Sequence, residues 1–195
     1  MKREIYATDG TLTICPAFEK DKRNMSNSLA RKVDKLIKIL SKIGIEIKIS
    51  VSDDGIYYSI FDEKNDYCGY FVINNPLSST PEIGIELIKA KRNKGIALRA
   101  TRLVAKRFYE EHNVEYFLIK IQTENNHSRH VIEKSGAIFC GMDKEQSNQL
   151  IDSFIEALND TDNEILKKAI NKEMLEHEIQ MDEVYVYKFM PELFL

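Results

Sequence analysis

No apolar run long enough to cross a bilayer, which takes about 20 residues, occurs in the 195-residue chain. The opening residues, MKREIYATDG, have no apolar core of the kind a secretory signal carries. Cysteine is scarce. Cys15, Cys68 and Cys140 are odd in number and scattered, with no paired spacing for a zinc site or a disulfide framework. Each is expected as a buried free thiol, and a reducing cytoplasm is the expected compartment. Internal repeats and low-complexity tracts are missing. No Ser-His-Asp or Cys-His arrangement stands out, which argues against a covalent nucleophile. His127 and His130 lie three apart but lack the further converging ligands a metal needs, so they are read as solvated and no metal is expected.

Hydrophobic residues make up 43% and charged residues 30% of the chain, the balance of a globular protein. The length suits one domain, read as a single domain over 1–195 that carries a helical insertion at 143–179. The net charge of −3 speaks against a general nucleic-acid binder. That charge is unevenly spread. Lys89, Lys91, Arg92, Lys94, Arg99, Arg102, Lys106 and Arg107 form a basic run with no acid among them. Residues 143–180 hold ten acids against four lysines. The juxtaposition suits an anionic cofactor and a cationic substrate, although two solvated helix faces would give the same pattern.

Hydrophobic period orders the elements. Thr11–Cys15 alternates as a first strand ending at Pro16. Leu29, Val33, Leu36, Ile37 and Leu40 recur at helical spacing within a helix from about Phe18 to Ile43, stopped by Gly44. Strands follow at Ile45–Val51, Ile56–Phe61 and Tyr67–Ile73, the last two joined by the polar turn DEKND. After a loop over 74–81, Glu82–Ile88 is a strand, and Gly95 to about His112 is a helix with an apolar face of Ala97, Thr101, Val104, Ala105 and Phe108. Val114–Ile121 reads as a buried strand, Asn125–Ser135 as a short helix closed by Gly136 in a left-handed cap, and Ala137–Cys140 as a strand. Two amphipathic segments precede a closing strand at Glu183–Phe189. The fold class is α/β, a mixed sheet with helices on its faces.

Arg92-Asn93-Lys94-Gly95-Ile96-Ala97 lies where a strand turns into a helix. Such a turn presents free backbone N–H groups and the positive end of the helix dipole, which suit a pyrophosphate. Gly95 allows close backbone approach, Ala97 keeps the first turn small, and Arg92, Lys94 and Arg99 add positive charge. A second motif follows the next strand. Asn125-x-x-Ser128-x-x-Val131-x-Glu133-Lys134-x-Gly136 resembles the second cofactor-side motif of the GNAT superfamily of N-acetyltransferases. It is closest in form to the branch that acetylates N-termini of ribosomal proteins. The Arg-x-x-Gly-x-Ala turn then corresponds to that family's pyrophosphate loop, and Pro81–Ile88 resembles its central strand. The resemblance runs from about Tyr67 to Gly141 and returns weakly at 182–189.

The resemblance implies a mostly antiparallel, twisted GNAT sheet and a direct transfer from acetyl-CoA to a primary amine, with no metal. Cofactor-binding positions carried over are Leu87, Ile88, Arg92, Asn93, Lys94, Gly95, Ile96, Ala97, Asn125 and Ser128. A strand N–H near Glu86–Ile88 would polarise the thioester carbonyl and pair with pantetheine. Glu82 falls where the family places its base. Glu86, on the same strand face, could act instead or attract a cationic substrate. The sequence departs from the pattern at the leaving-group acid. Many members carry a tyrosine where this chain has Ile132, and the ribosomal-protein-like branch has a serine, here Ser128. Tyr185 and Tyr187 are held in reserve. Ala137 replaces the usual aromatic after Gly136, and about forty residues separate the last two strands where the family has a short loop. The implied acceptor is a protein N-terminus or other cationic amine. The alternatives are a polyamine or aminoglycoside acetyltransferase and a non-catalytic acyl-CoA sensor. The insertion would either wall the acceptor cleft or form a homodimer interface. In the first case, charge reversal at Glu156, Asp160 and Glu164 raises the acceptor KM and leaves acetyl-CoA binding unchanged; an unchanged KM contradicts that placement.

Overall fold

The computed structural model describes residues 4–17, 55–143 and 183–193. The helix read at 18–43, the strand at 45–51 and the helical pair of 143–179, save Asp143, lie outside the described residues. Within these, the elements in chain order are β1 (Ala7–Thr8), β2 (Leu12–Pro16), β3 (Ile56–Asp62), β4 (Tyr67–Asn74), β5 (Glu82–Leu87), α1 (Ile96–Glu111), β6 (Phe117–Gln122), α2 (Asn126–Lys134), β7 (Ile138–Asp143) and β8 (Val184–Phe189). They form one sheet in the order β1-β2-β3-β4-β5-β6-β8-β7. Every neighbouring pair is antiparallel except β5 and β6, which run parallel and are joined through α1, as a parallel pair requires.

The central strands form where the sequence is richest in aromatic and β-branched residues. In β3, Tyr57 to Phe61 are all buried, so both faces of the sheet are covered here and the strand needs no polar alternation. Its turn into β4 is built by Asp62, whose Oδ1 accepts the N–H groups of Lys64 and Asp66 at 3.1 and 3.0 Å. Gly69 then allows β4 to lie close on β5. Its φ is +150°, and a Cβ there would stand 2.1 Å from the Glu86 carbonyl oxygen.

α1 packs on the sheet through Ile96, Ala100, Thr101, Val104, Ala105 and Phe108. The expected stripe began at Ala97; instead Ile96 is buried and Ala97 is only half-buried, because the larger side chain at the first helical position reaches the core. Phe108 stacks on His112 and meets Phe117 edge-on at 6.1 Å, with Tyr187 and Phe189 in the same cluster. β6 starts at Phe117, so Val114 is buried ahead of the strand rather than in it. β7 runs past Cys140 to Asp143. It is the outermost strand, and Cys140 is exposed there while Cys15 and Cys68 are buried. The expected burial of all three thiols therefore fails at Cys140, because an edge strand leaves part of its surface uncovered.

A short strand the periodicity did not show, β1, turns into β2 around Asp9. The Asp9 Oδ1 accepts the N–H groups of Thr11 and Leu12 at 3.0 and 2.8 Å, and its Oδ2 takes Arg99 of α1 at 2.6 Å. Partial burial opposes the charge, but these bonds outweigh it and hold the carboxyl well below the usual range. A depressed folded value means the stabilisation is present at neutral pH and is lost as pH falls toward that value. Asp9→Asn is expected to lower stability at neutral pH by about 1 kcal/mol, allowing for solvent screening of this partly exposed pair. The gap from wild type begins to close below about pH 4, and urea-unfolding midpoints across that range check it.

Candidate active site

β5 and β6 stay in register at one pair, Glu82 with Leu118, where the Leu118 N–H donates to the Pro81 carbonyl at 2.9 Å. On its other edge β5 is held by β4 over six pairs. In that ladder the Ile88 N–H donates to the Cys68 carbonyl at 3.0 Å. Alternation then turns the backbone groups of Glu82, Gly84 and Glu86 toward β4, and those of Ile83, Ile85 and Leu87 toward β6. Beyond Glu82 the two parallel strands part, so Ile85 and Leu87 face an opening. A strand edge turned into such an opening takes up an extended amide-bearing ligand as it would another strand. Leu87 thus lies on the opening, whereas the N–H of Ile88 is already given to β4.

The chain leaves β5 through a 3-10 turn at Lys89–Lys91 and enters α1 at Ile96. Asn93 and Gly95 both take left-handed backbone, with φ of 60° and 70°. A Cβ on Gly95 would meet nothing within 4 Å, so glycine serves the backbone conformation and leaves the approach open. The Arg99 N–H donates to the Gly95 carbonyl at 3.2 Å. Ahead of it the first turn has no side-chain cap and no acid. Free N–H groups, the helix dipole and a left-handed turn together make an anion site.

Three of the eight basic side chains of the run are already neutralised. Lys91 pairs with Asp62 at 2.6 Å and Asp66 at 3.2 Å, and the Asp62 bond foremost raises its pKa. Arg107 pairs with Glu111 at 2.7 Å. Arg99, expected to face phosphate, is turned to Asp9 and Thr11 instead. Among the described residues Lys89, Lys94 and Arg102 carry no ion pair. Arg92 donates its Nε to the Leu87 carbonyl at 2.9 Å, which ties the loop to the end of β5.

α2 begins at the same sheet edge, beyond the end of β6. Asn125 caps it, its Oδ1 accepting the Ser128 N–H at 3.1 Å. Ser128 is half-buried, and its hydroxyl has no hydrogen-bond partner among the described residues. Gly136, at φ +90°, closes the helix as a left-handed cap. Tyr187 donates its hydroxyl to Glu133 of α2 at 2.8 Å. Burial first and Glu133 second push this phenol up to about 12, which leaves it a poor proton source. Tyr185 packs edge-on to Phe139 at 5.8 Å with the Arg129 guanidinium over its ring. Ile132 packs against the core, and His127 and His130 are exposed. Among the described residues no group of three or more His, Cys, Asp or Glu side chains could hold a metal.

Glu82 and Glu86 share the sheet face opposite α1. Glu86 is exposed and accepts the Tyr70 hydroxyl at 3.0 Å. Glu82 is half-buried, with Lys120 Nζ of β6 at 3.4 Å, and the same ammonium lies 3.0 Å from Asp143 at the end of β7. Burial works against the Lys120 charge, but the two carboxylates outweigh it and raise its pKa. Neither Lys120 nor Asp143 was singled out from the sequence. The available signal was a lone charge in the strand FLIKIQ, on the face away from Phe117, Ile119 and Ile121.

Residues 18–138 match the family model of the acetyltransferase (GNAT) domain, more than half of the chain. Among solved structures, a ribosomal-protein alpha-N-acetyltransferase in complex with coenzyme A is 16% identical over 97% of this chain and 99% of that one, with a TM-score of 0.57. An acetyltransferase from Salmonella typhimurium that modifies the N-terminal serine of a 50S ribosomal subunit protein is 16% identical, covering 96% and 99%, with a TM-score of 0.57. A spermidine/spermine N-acetyltransferase from Vibrio cholerae, in complex with manganese ions, is 14% identical over 93% and 94%, with a TM-score of 0.56. At these identities the likeness is one of fold. No curated protein sequence matches the chain. On the family match, the chain belongs to the GNAT acetyltransferases and is an acyl-CoA-dependent N-acetyltransferase.

Proposed function

We propose that the chain acetylates a cationic primary amine by direct transfer from acetyl-CoA, with a protein N-terminus as the acceptor. The observation that carries this reading is the opening between β5 and β6, with the backbone of Ile85 and Leu87 turned into it and two helix starts at its mouth. Ile85 and Leu87 would pair with the amides of the pantetheine arm. The N–H groups of Asn93 to Ala97 would take the pyrophosphate, with Arg92 and Lys94 balancing its charge. Ligands lie outside the carboxyl ends of parallel strands for the same reason in other α/β sheets.

The acceptor would approach over the face that bears Glu82, Glu86 and Tyr70. Glu82 takes a proton from the ammonium, which frees the nitrogen lone pair. The amine nitrogen bonds to the thioester carbon, and the Leu87 N–H steadies the oxygen as it gains charge. The carbon–sulfur bond then breaks, the nitrogen passes its second proton to the departing thiolate, and the amide and the CoA thiol result, with the Ser128 hydroxyl donating a hydrogen bond to the sulfur as it leaves. Glu86, held by Tyr70, would receive the positive charge of the acceptor. The acidic surroundings fit a polyamine as well, and this second reading is favoured if the best acceptor carries several amines.

Thiol release in the presence of acetyl-CoA, screened over N-terminal peptides, polyamines and aminoglycosides, tests the reading. Glu82→Gln is expected to lower kcat by about 10²-fold, with acetyl-CoA affinity by calorimetry unchanged, while Glu86→Gln raises acceptor KM. A Glu82→Gln enzyme with full kcat would remove the base from this account, and acetyl-CoA binding without release from any acceptor would favour the sensor.

A further inference from the structure

We propose that Lys120 is a positioning residue shared between Glu82 and Asp143, which aims the Glu82 carboxylate at the opening while Asp143 competes for the same ammonium. The proposal rests on the reading of Glu82 as the base. The three side chains come from β5, β6 and the end of β7 and meet on one sheet face. Leu118 is the register partner of Glu82, so Lys120 stands two residues farther along β6, where the strands part. Val186 and Val184 of β8 lie opposite Lys120 and Asp143 respectively, so no polar side chain of β8 intervenes. The side chains of all three are only 17–21% exposed, so water screens them less than a surface pair.

One cation cannot fully serve two carboxylates. Lys120 lies nearer to Asp143, at 3.0 Å, than to Glu82, at 3.4 Å. The other groups around Glu82 on this face are Asn74, its partner on β4, and Glu86 with Tyr70. Lys188 of β8, opposite Leu118, lies over the Tyr116 ring at 4.2 Å, and Glu183 precedes β8. None of these is shown bridging Glu82 to another strand, as Lys120 does.

The arrangement predicts opposite shifts from its two members. A nearby cation favours the ionised carboxylate and a nearby anion disfavours it. Lys120→Met should move the acidic limb of kcat/KM for the acceptor upward by about one pH unit, and Lys120→Arg should keep it in place. Asp143→Asn frees Lys120 for Glu82 and should move the limb downward. A purely structural role would not produce shifts of opposite sign. If Lys120→Met fails to fold, the Asp143→Asn and Lys120→Arg profiles carry the test. An unmoved limb, or shifts of the same sign, while Glu82→Gln abolishes it would overturn the proposal and leave the base in place. A limb that survives Glu82→Gln would overturn the base reading itself.

Discussion

Two parallel strands cannot be joined by a tight turn, and here they also stop pairing almost as soon as they meet. β5 and β6 share one registered pair, while β4 holds the other edge of β5 along its whole length. Much else follows from this half-paired strand. The crossover needs α1, whose start falls at the sheet edge where the strands part. α2 starts at that edge too, because β6 points the same way. The unpaired edge of β5, the uncapped start of α1 and the start of α2 therefore face one opening, and polar backbone that must find a partner is concentrated where a ligand with amides and phosphates would lie.

Charge is distributed around that opening according to the sheet. Lys91 is tied to the β3–β4 turn and Arg99 to the β1–β2 turn, so two members of the basic run brace the β5–α1 connection and the start of α1 against neighbouring turns. Lys89, Lys94 and the outer end of Arg92 are left to meet an anion. On the face opposite α1, carboxylates outnumber cations among the described residues around the point where the strands part, with Glu82, Asp143 and Glu86 set against Lys120 and Lys188. Anion on one side and ammonium on the other are the two reactants an acetyl transfer to an amine brings together.

Local features were legible in the sequence. β3 and β4 were visible because aromatic and β-branched residues fill both their faces, and α1 because its apolar stripe keeps helical spacing. Gly95 and Asn125 could be read because a left-handed turn and a helix cap are written in adjacent residues. What could not be read depends on sheet order. β8 lies between β6 and β7, an arrangement no local period encodes, and it brings Asp143 to Lys120. Asp9 and Arg99 stand 90 positions apart and meet only because β1 and β2 pack against α1. Two-residue β1 is too short to alternate, and the exposure of Cys140 follows from β7 being an edge. The family resemblance named Glu82, but its partner became visible only when β6 was placed beside β5.

The free edge of β5 is where acyl-CoA is expected to pair with the chain. Amide hydrogen exchange, followed residue by residue with and without acetyl-CoA, tests that directly. The Ile85 and Leu87 amides should become protected on binding, together with those of the first turn of α1, while the amides of Gly84 and Glu86, already held by β4, should change little. Acetyl-CoA binding that leaves Ile85 and Leu87 exchanging as in the free protein would contradict the account.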